Sequence, residues 1–280
     1  MMTLTAKWQQ IMAALFLFVF SVNANEAQQN HSTLRIVSLA PHLTEWVYSL
    51  HLESHLVAVS AYSDYPEQAK LLPRVADYQG ADIAKIMALS PTLILAWEGG
   101  NKPSDINKLE RMGYQVFKSN INELFDIPRE LKALGKITDR KDIARALASQ
   151  FEQQLMTLKN NYKRTERLPV FYYSWTTPLM SIGPHAWPNK LLNVCGAQTM
   201  FEDSPVDYPQ VSIKEVLLRQ PKILVASSKA SSEELNTFWA PHSDFIDAPL
   251  ITVNPDITSR FTLRMADELK TLCDGINNRF

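Results

Sequence analysis

The stretch from Thr138 to Arg167 constrains the fold most, because it contains neither glycine nor proline. Apolar side chains recur within it at spacings of 4, 4, 4, 3 and 4 residues, at Ile143, Leu147, Phe151, Leu155, Leu158 and Tyr162. This spacing places them in one stripe of a long helix. Thr138 or Asp139 can cap its start, and Leu168-Pro169 ends it. At a rise of 1.5 Å per residue the predicted helix is about 40 Å long, which suits a rigid connection between two lobes.

On both sides of this helix, short β-branched runs alternate with amphipathic segments, a pattern typical of parallel strands joined by helices. Residues 82–91 align without a gap over residues 212–221, and Pro91 and Pro221 coincide. The aligned prolines favour duplication of one unit over a chance match. We therefore predict an α/β fold of two similar lobes, residues 34–137 and 168–280, with parallel sheets flanked by helices and joined by a helix over 138–167. The cleft between such lobes is the expected ligand site.

The N-terminus has the pattern of a secretory signal over residues 1–24. Lys7 precedes an apolar run from Ile11 to Phe20, and small residues then lead to Ala24, which predicts cleavage near that position. A membrane anchor needs about 20 apolar residues, more than this run supplies. Export into an oxidising compartment favours pairing of Cys195 with Cys273, the alternative being two buried free thiols.

Composition and motifs exclude several classes of function. The formal net charge of -1 argues against nucleic-acid binding by phosphate neutralisation. No glycine-rich nucleotide-binding motif, hydrolase nucleophile motif or zinc-protease motif occurs in the sequence. His42 and Glu45 are spaced to hold a metal, but Glu45 more simply serves the first turn of a helix. We therefore predict no catalytic residues, no metal site and no cofactor.

Aromatic residues cluster where strands end, next to turn residues. Tyr62, Tyr65, Tyr78 and Trp97 do so in the first half, and Trp175, Trp187 and Tyr208 in the second. Ordinary packing under loops explains any one of them, but less easily the whole set. Because the carboxyl edge of a parallel sheet faces the ligand crevice, this pattern favours a large, planar and mostly apolar ligand.

Several sequence strings resemble the periplasmic cobalamin-binding proteins of vitamin B12 ABC importers. They are RIVSLAPHLTE at 35–45, YSDYP at 62–66, AWEGGN at 96–101, NVCGA at 193–197, PQVS at 209–212 and LC at 272–273. The resemblance covers about residues 34–275. The alternation of strands and helices is shared with binding proteins for haem, siderophores and metals, whereas the YSDYP, AWxGGN and VCG strings are more specific to the cobalamin branch.

The resemblance implies roles for individual residues. Tyr62 and Trp97 match aromatic residues that contact the corrin, and Tyr78 and Tyr208 stand where the family often has tryptophan. The segment Asp256-Ile257-Thr258-Ser259-Arg260 falls on a ligand-contacting loop, although its middle lacks the expected aromatic pair. Cys195 and Cys273 match the family's disulfide.

The family docks on its permease through one glutamate in each lobe. The aligned positions here are Ala84 and Lys214, so that role does not carry over to them. Asp82 and Glu215 are the neighbouring acids that can substitute.

The resemblance thus implies a monomeric periplasmic receptor, not an enzyme, that captures cobalamin in the cleft and delivers it to an inner-membrane ABC permease-ATPase complex. A haem or ferric-siderophore receptor of the same fold is the main alternative, with Tyr62 or His185 as axial ligand to haem iron. An exported tetrapyrrole chelatase using His42 and Glu45 is a further one.

Overall fold

The computed structural model describes residues 34–278, so the predicted signal peptide over 1–24 lies outside the described residues. The first sheet has six strands in the order β4-β3-β2-β1-β5-β6. All pairs in it are parallel except β3 with β4. The strands are β1 (Ile36–Ser38), β2 (Leu56–Ser60), β3 (Arg74–Asp77), β4 (Gly80–Ala81), β5 (Leu93–Trp97) and β6 (Val116–Ser119).

Three helices accompany this sheet: α1 (Pro41–Ser49), α2 (Ile83–Ala88) and α3 (Pro103–Arg111). We call the sheet with these helices the N-terminal lobe. Short 3₁₀ turns lie at Glu53–His55 and Glu67–Leu71. Pro41 and Pro103 occupy the first turns of α1 and α3, where a missing backbone N–H costs no hydrogen bond. Strands β1 and β5 are almost wholly buried, as their continuous apolar sequences require.

Two helices follow the N-terminal lobe, α4 (Asp126–Ile137) and α5 (Lys141–Asn161). Helix α5 has 21 residues and is about 30 Å long, shorter than the predicted helix over 138–167. Residues 138–140 connect the two helices instead, and they fold back on α4: the Thr138 N–H donates to the Leu134 carbonyl and the Arg140 N–H to the Gly135 carbonyl. A Cβ at Gly135 would lie 2.2 Å from Cβ of Ala144, so glycine allows the two helices to pack closely.

At its other end α5 is followed by side chains that bind residues of the C-terminal helix over 265–277. The Tyr162 hydroxyl hydrogen-bonds to the Asp274 carboxylate. The Arg164 guanidinium donates to Oδ1 of Asn277 at 3.1 and 2.7 Å.

The second sheet has five strands, in the order β11-β10-β7-β8 with β9 paired to β7. Only the β7–β8 pair is antiparallel within it. The strands are β7 (Leu168–Thr176), β8 (Leu179–Ser181), β9 (Ala197–Thr199), β10 (Leu224–Ser227) and β11 (Leu250–Val253). The accompanying helices are α6 (Trp187–Val194), α7 (Ile213–Arg219), α8 (Ser232–Trp239), α9 (Pro255–Thr258) and α10 (Met265–Asn277), with a 3₁₀ turn at Ala240–His242.

We call this sheet with α6 to α10 the C-terminal lobe. Cys195, at the end of α6, forms a disulfide with Cys273 in α10, as predicted. The prediction of an α/β fold with two mainly parallel sheets flanked by helices is also confirmed. Among residues 34–278, every helix is too short or too polar to span a bilayer.

The two segments aligned in the sequence begin in the same way. The Asp82 side chain caps α2 by accepting from the Lys85 backbone N–H, and Ser212 caps α7 by accepting from the Glu215 backbone N–H. Each helix then leads into a buried parallel strand, β5 or β10.

One apolar core continues through both lobes and the connecting helices. It contains Trp46 of the N-terminal lobe, Phe151 of α5 and Leu272 of α10, all nearly inaccessible to solvent. Close packing of this kind resists deformation. The lobes are therefore joined by a shared core as well as by the chain.

Candidate ligand-binding site

A cavity of about 700 Å³ lies where strands β5, β7 and β10 end. Ligand pockets in proteins usually have volumes of about 300–1,000 Å³. Its lining residues are Trp97, Tyr172, Ser174, Trp175, Trp187, Pro188, Tyr208, Ser227, Ser228, Lys229, Pro255, Ser259 and Phe261. Trp97 comes from the N-terminal lobe and the other residues from the C-terminal lobe. The site is thus lined mainly by aromatic rings and hydroxyl groups.

Trp97 is held in place by the loop that follows β5. The Trp97 backbone N–H donates to Oδ1 of Asn101 at 2.7 Å, and Nδ2 of Asn101 donates to the Leu39 carbonyl at 2.8 Å. The loop passes directly over the indole, because a Cβ at Gly99 or Gly100 would lie 2.6 or 2.1 Å from its nearest ring atom. Two glycines are therefore needed for this close approach.

The Phe261 ring packs against aromatic rings from both lobes. Its ring centroid lies 5.6 Å from that of Trp97 and 4.6 Å from that of Trp187, both in edge-to-face geometry. Its backbone carbonyl accepts from Nε1 of Trp46 at 3.0 Å. Edge-to-face pairs at these distances are favourable, so the three rings form a fixed wall of the cavity.

His42 lies behind this wall and is fully buried. Its ring packs edge-on against Trp46, Trp97 and Phe261, and Nε2 lies 3.4 Å from the Ser119 hydroxyl. Burial lowers the pKa of His42 to about 3, so the ring is neutral at physiological pH. His42 is a packing residue here.

Glu45 is only 4% exposed, and cations from the other lobe surround it. Arg264 binds its carboxylate with two hydrogen bonds of 2.8 and 2.6 Å, while Arg260 approaches to 3.6 Å. The ring of Tyr65 lies 3.7 Å from the Arg264 guanidinium carbon. A bidentate arginine–carboxylate pair fixes the relative orientation of the two side chains and neutralises the buried carboxylate. The Glu45–Arg264 pair is therefore a direct contact between the two lobes.

The same ion-pair network extends along the cleft to its rim. Nη1 of Arg260 donates to Oδ1 of Asp64 at 2.6 Å, and its Nη2 lies 3.4 Å from Oδ1 of Asp256. Oδ2 of Asp256 in turn lies 2.5 Å from Nζ of Lys229. Burial acts to raise the pKa of Asp64, but the hydrogen bond and charge of Arg260 outweigh it, so the pKa is lowered. Asp64 therefore stays ionised against Arg260.

Tyr62 follows β2 in the left-handed backbone region, with φ of 63°. Buried hydroxyls support the turn, because Oγ1 of Thr44 donates to Oγ of Ser63 at 3.0 Å and Ser63 Oγ lies 3.0 Å from Oγ of Ser60. The ring itself is 69% exposed. The turn thus points Tyr62 away from the core without placing it in the cavity lining.

Of the residues predicted to bind ligand, the cavity lining contains Trp97, Tyr208 and Ser259. Tyr62 and Tyr78 are exposed beyond the lining. Asp256, Ile257 and Arg260 belong to the adjoining segment, and Thr258 is buried with its carbonyl accepting from Nε1 of Trp187 at 3.0 Å. The prediction for these residues stays a prediction.

The lining also contains residues that the sequence did not single out as binding residues. Trp175 and Trp187 carried a signal, since both are aromatic residues near strand ends. Nothing in the sequence pointed to Phe261 or Lys229, because a single aromatic residue before a helix and a single lysine after a strand are common in α/β proteins.

The predicted docking residues lie at the starts of α2 and α7. Ala84 and Lys214 are exposed. Asp82 pairs with the Lys85 ammonium at 3.0 Å, and the backbone N–H of Lys85 lowers the pKa of its carboxyl group. Glu215 lies 3.4 Å from Arg219, which also binds Asp203.

Within residues 34–278 no group of three or more His, Cys, Asp or Glu side chains is placed to hold a metal ion.

Two lobes around an aromatic cavity define the class of protein. A family model described as periplasmic binding protein matches residues 36–240, and the chain belongs to that family.

Its relatives are more specific. The chain is 35% identical over 249 residues to a vitamin B12-binding protein of Vibrio campbellii, covering 88% of this chain and 90% of the relative. It is 36% identical over 240 residues to a vitamin B12-binding protein of Yersinia pestis, covering 85% of each. The crystal structure of the periplasmic vitamin B12 binding protein BtuF of Vibrio cholerae superposes with a TM-score of 0.78 at 34% identity, covering 87% of this chain and 96% of that one.

Proposed function

We propose that this protein captures cobalamin in the cavity between its lobes and delivers it to an inner-membrane ABC permease-ATPase complex. The observation that carries the proposal is the wall of Trp97, Phe261 and Trp187, which lines the cavity with closely packed aromatic surface for a large ring system. The relatives that share most of the chain's length are vitamin B12-binding proteins. Export to the periplasm, with cleavage near Ala24, and action as a monomer belong to the same proposal.

The protein binds and releases its ligand without chemistry. A chelatase needs a general base that can reach the ligand. His42 sits behind the aromatic wall, and both carboxylate oxygens of Glu45 accept hydrogen bonds from Arg264. Neither group is therefore free to move a proton in the cavity.

Isothermal titration of the mature protein with cyanocobalamin and with haemin tests this function. We expect cyanocobalamin to bind tightly and haemin weakly. Trp97→Ala removes an aromatic anchor and should weaken cyanocobalamin binding by about 1–3 kcal/mol, or about 5- to 150-fold. Tyr62→Ala should do the same, because the resemblance implies that Tyr62 contacts the corrin.

Phe245→Ala is the matched control, because Phe245 is 70% exposed and lies outside the cavity lining. It should leave affinity unchanged. Tight haemin binding without cyanocobalamin binding would replace the proposal by a haem receptor, for which His185, exposed near α6, is a candidate axial ligand. Unchanged affinity in the Trp97→Ala, Tyr62→Ala double variant would remove the cavity from the binding site.

A further inference from the structure

Lys229 is the one charged side chain among the cavity-lining residues within the described part of the chain. It follows β10 directly, and its side chain is 66% exposed. The rest of the lining consists of aromatic rings, prolines and hydroxyl-bearing side chains. A ligand in the cavity therefore meets an ammonium, which Asp256 just outside the lining holds in an ion pair.

The position of this charge is set by a chain of ion pairs that ends in the other lobe. Asp256 holds the Lys229 ammonium at 2.5 Å and is itself 3.4 Å from Arg260. Arg260 is in turn bound to Asp64 of the N-terminal lobe at 2.6 Å. Since an ammonium has three N–H donors, the contact with Asp256 orients Lys229 and leaves donors for a ligand.

Serine side chains line the same cavity as Lys229. Ser227 and Ser228 precede it in the chain, and Ser259 lines the same cavity from the segment after α9. The Ser228 hydroxyl accepts from the Ala230 N–H at 3.0 Å, which leaves its own O–H free to donate. No carboxylate belongs to the lining residues that the structure describes. Hydroxyl donors and a lysine ammonium in one lining suit a phosphate group, which would bind through the ammonium donors that Asp256 does not use.

We propose that Lys229, with Ser228 and Ser259, is the subsite for the phosphodiester of the cobalamin nucleotide loop. This inference rests on the proposed function. The amide side chains around the corrin ring are neutral, so the phosphodiester is the anionic group of the ligand's periphery. The aromatic wall then holds the ring, and Lys229 selects complete corrinoids over those that lack the nucleotide loop.

The test compares cyanocobalamin with dicyanocobinamide, which keeps the corrin ring and its amides but has no phosphodiester, ribose or base. We expect Lys229→Gln to weaken cyanocobalamin binding about tenfold, as for one partly exposed charge-assisted contact, while cobinamide affinity stays within about twofold. Lys229→Arg should restore most of the cyanocobalamin affinity because it keeps the charge. Lys222→Gln is the control, since Lys222 is an exposed lysine of the same lobe outside the lining.

Salt provides a second readout that a merely structural role would not change. Raising NaCl from about 50 to about 500 mM should weaken cyanocobalamin binding to the wild-type protein and not to Lys229→Gln, because salt screens an exposed ionic contact. An equal loss for both corrinoids in Lys229→Gln, or no loss for either, would overturn the inference while leaving the proposed function intact. Failure of the wild-type protein to bind either corrinoid would instead overturn the proposed function.

Discussion

Substitution of Gly100 by alanine tests whether the loop after β5 sets the orientation of the Trp97 indole. A Cβ at Gly100 would lie 2.1 Å from both Cε3 and Cζ3 of Trp97. Carbon atoms in favourable contact are about 3.5–4.0 Å apart, so the indole and the loop must separate by about 1.5 Å. Asn101 ties the backbone on one side, and Phe261 packs against the indole at 5.6 Å. We therefore expect the indole to turn away from its position in the wall.

The expected effect on binding is that of a displaced aromatic anchor. Cyanocobalamin affinity should fall by about 1–3 kcal/mol, or about 5- to 150-fold, in isothermal titration. The free energy of unfolding should fall less, at the lower end of the about 1–3 kcal/mol typical of overpacking, because the loop is exposed and can shift. Urea denaturation measures that second quantity. Glu98→Ala, in the same exposed loop, is the control and should change neither.

A double-mutant cycle makes this prediction sharper. In a Trp97→Ala background the clashing ring is absent, so adding Gly100→Ala should cause no further loss of affinity. The reasoning is refuted if Gly100→Ala binds cyanocobalamin within about twofold of wild type. It is equally refuted if the two losses simply add.

Three further predictions concern stability and docking. Replacing Cys195 and Cys273 by alanine should lower the free energy of unfolding by about 4.5 kcal/mol, from the chain entropy of a 78-residue loop. When the protein unfolds, the pKa of His42 returns from about 3 to about 6.5, so below about pH 6.5 the unfolded state binds more protons than the folded state. The free energy of unfolding should therefore fall by about 2 kcal/mol from pH 7 to pH 5, and by less in His42→Gln. Neutralising Asp82 and Glu215 together, as Asp82→Asn with Glu215→Gln, should abolish transport and leave cobalamin affinity unchanged.

Each of these predictions has a contradicting outcome. A cysteine-free protein as stable as the wild type in urea would contradict the entropy argument for the disulfide. A wild-type pH profile unchanged by His42→Gln would show that other groups carry the acid sensitivity. The amide variants keep a side-chain oxygen that can cap α2, so normal uptake by the doubly substituted protein would remove both acids from the permease interface.

Local patterns were sufficient to predict the fold. The apolar stripe that contains Phe151 and Leu155 does face the core, since both side chains are nearly inaccessible in α5. Periodicity reports which side of a helix is buried, and this depends on neighbours in sequence. The ends of α5 differ from the prediction: Thr138 caps the preceding helix, and α5 ends before Tyr162, whose hydroxyl is bound to Asp274. The second contact joins residues 112 positions apart, which no local pattern contains.

The candidate site also contains residues that the sequence predicted and residues that it did not. Trp97 and Tyr208 were predictable as aromatic residues near turns, Trp97 matching a family tryptophan and Tyr208 standing where the family often has one, and both line the cavity. The resemblance likewise located Asp256 and Arg260 on a loop beside the cleft, but gave no partner for either.

By itself, then, the sequence determined the α/β architecture, favoured the pairing of Cys195 with Cys273 and indicated the strand ends that face the cleft. Tertiary structure alone decided that Phe261 completes the aromatic wall and that Arg264 neutralises Glu45, 219 positions earlier in the chain. It also decided that His42 is neutral, because that pKa is set by burial among rings from both lobes. A side chain's period and type are local properties, whereas its charge state and its contacts across a cleft exist only after distant segments have packed together.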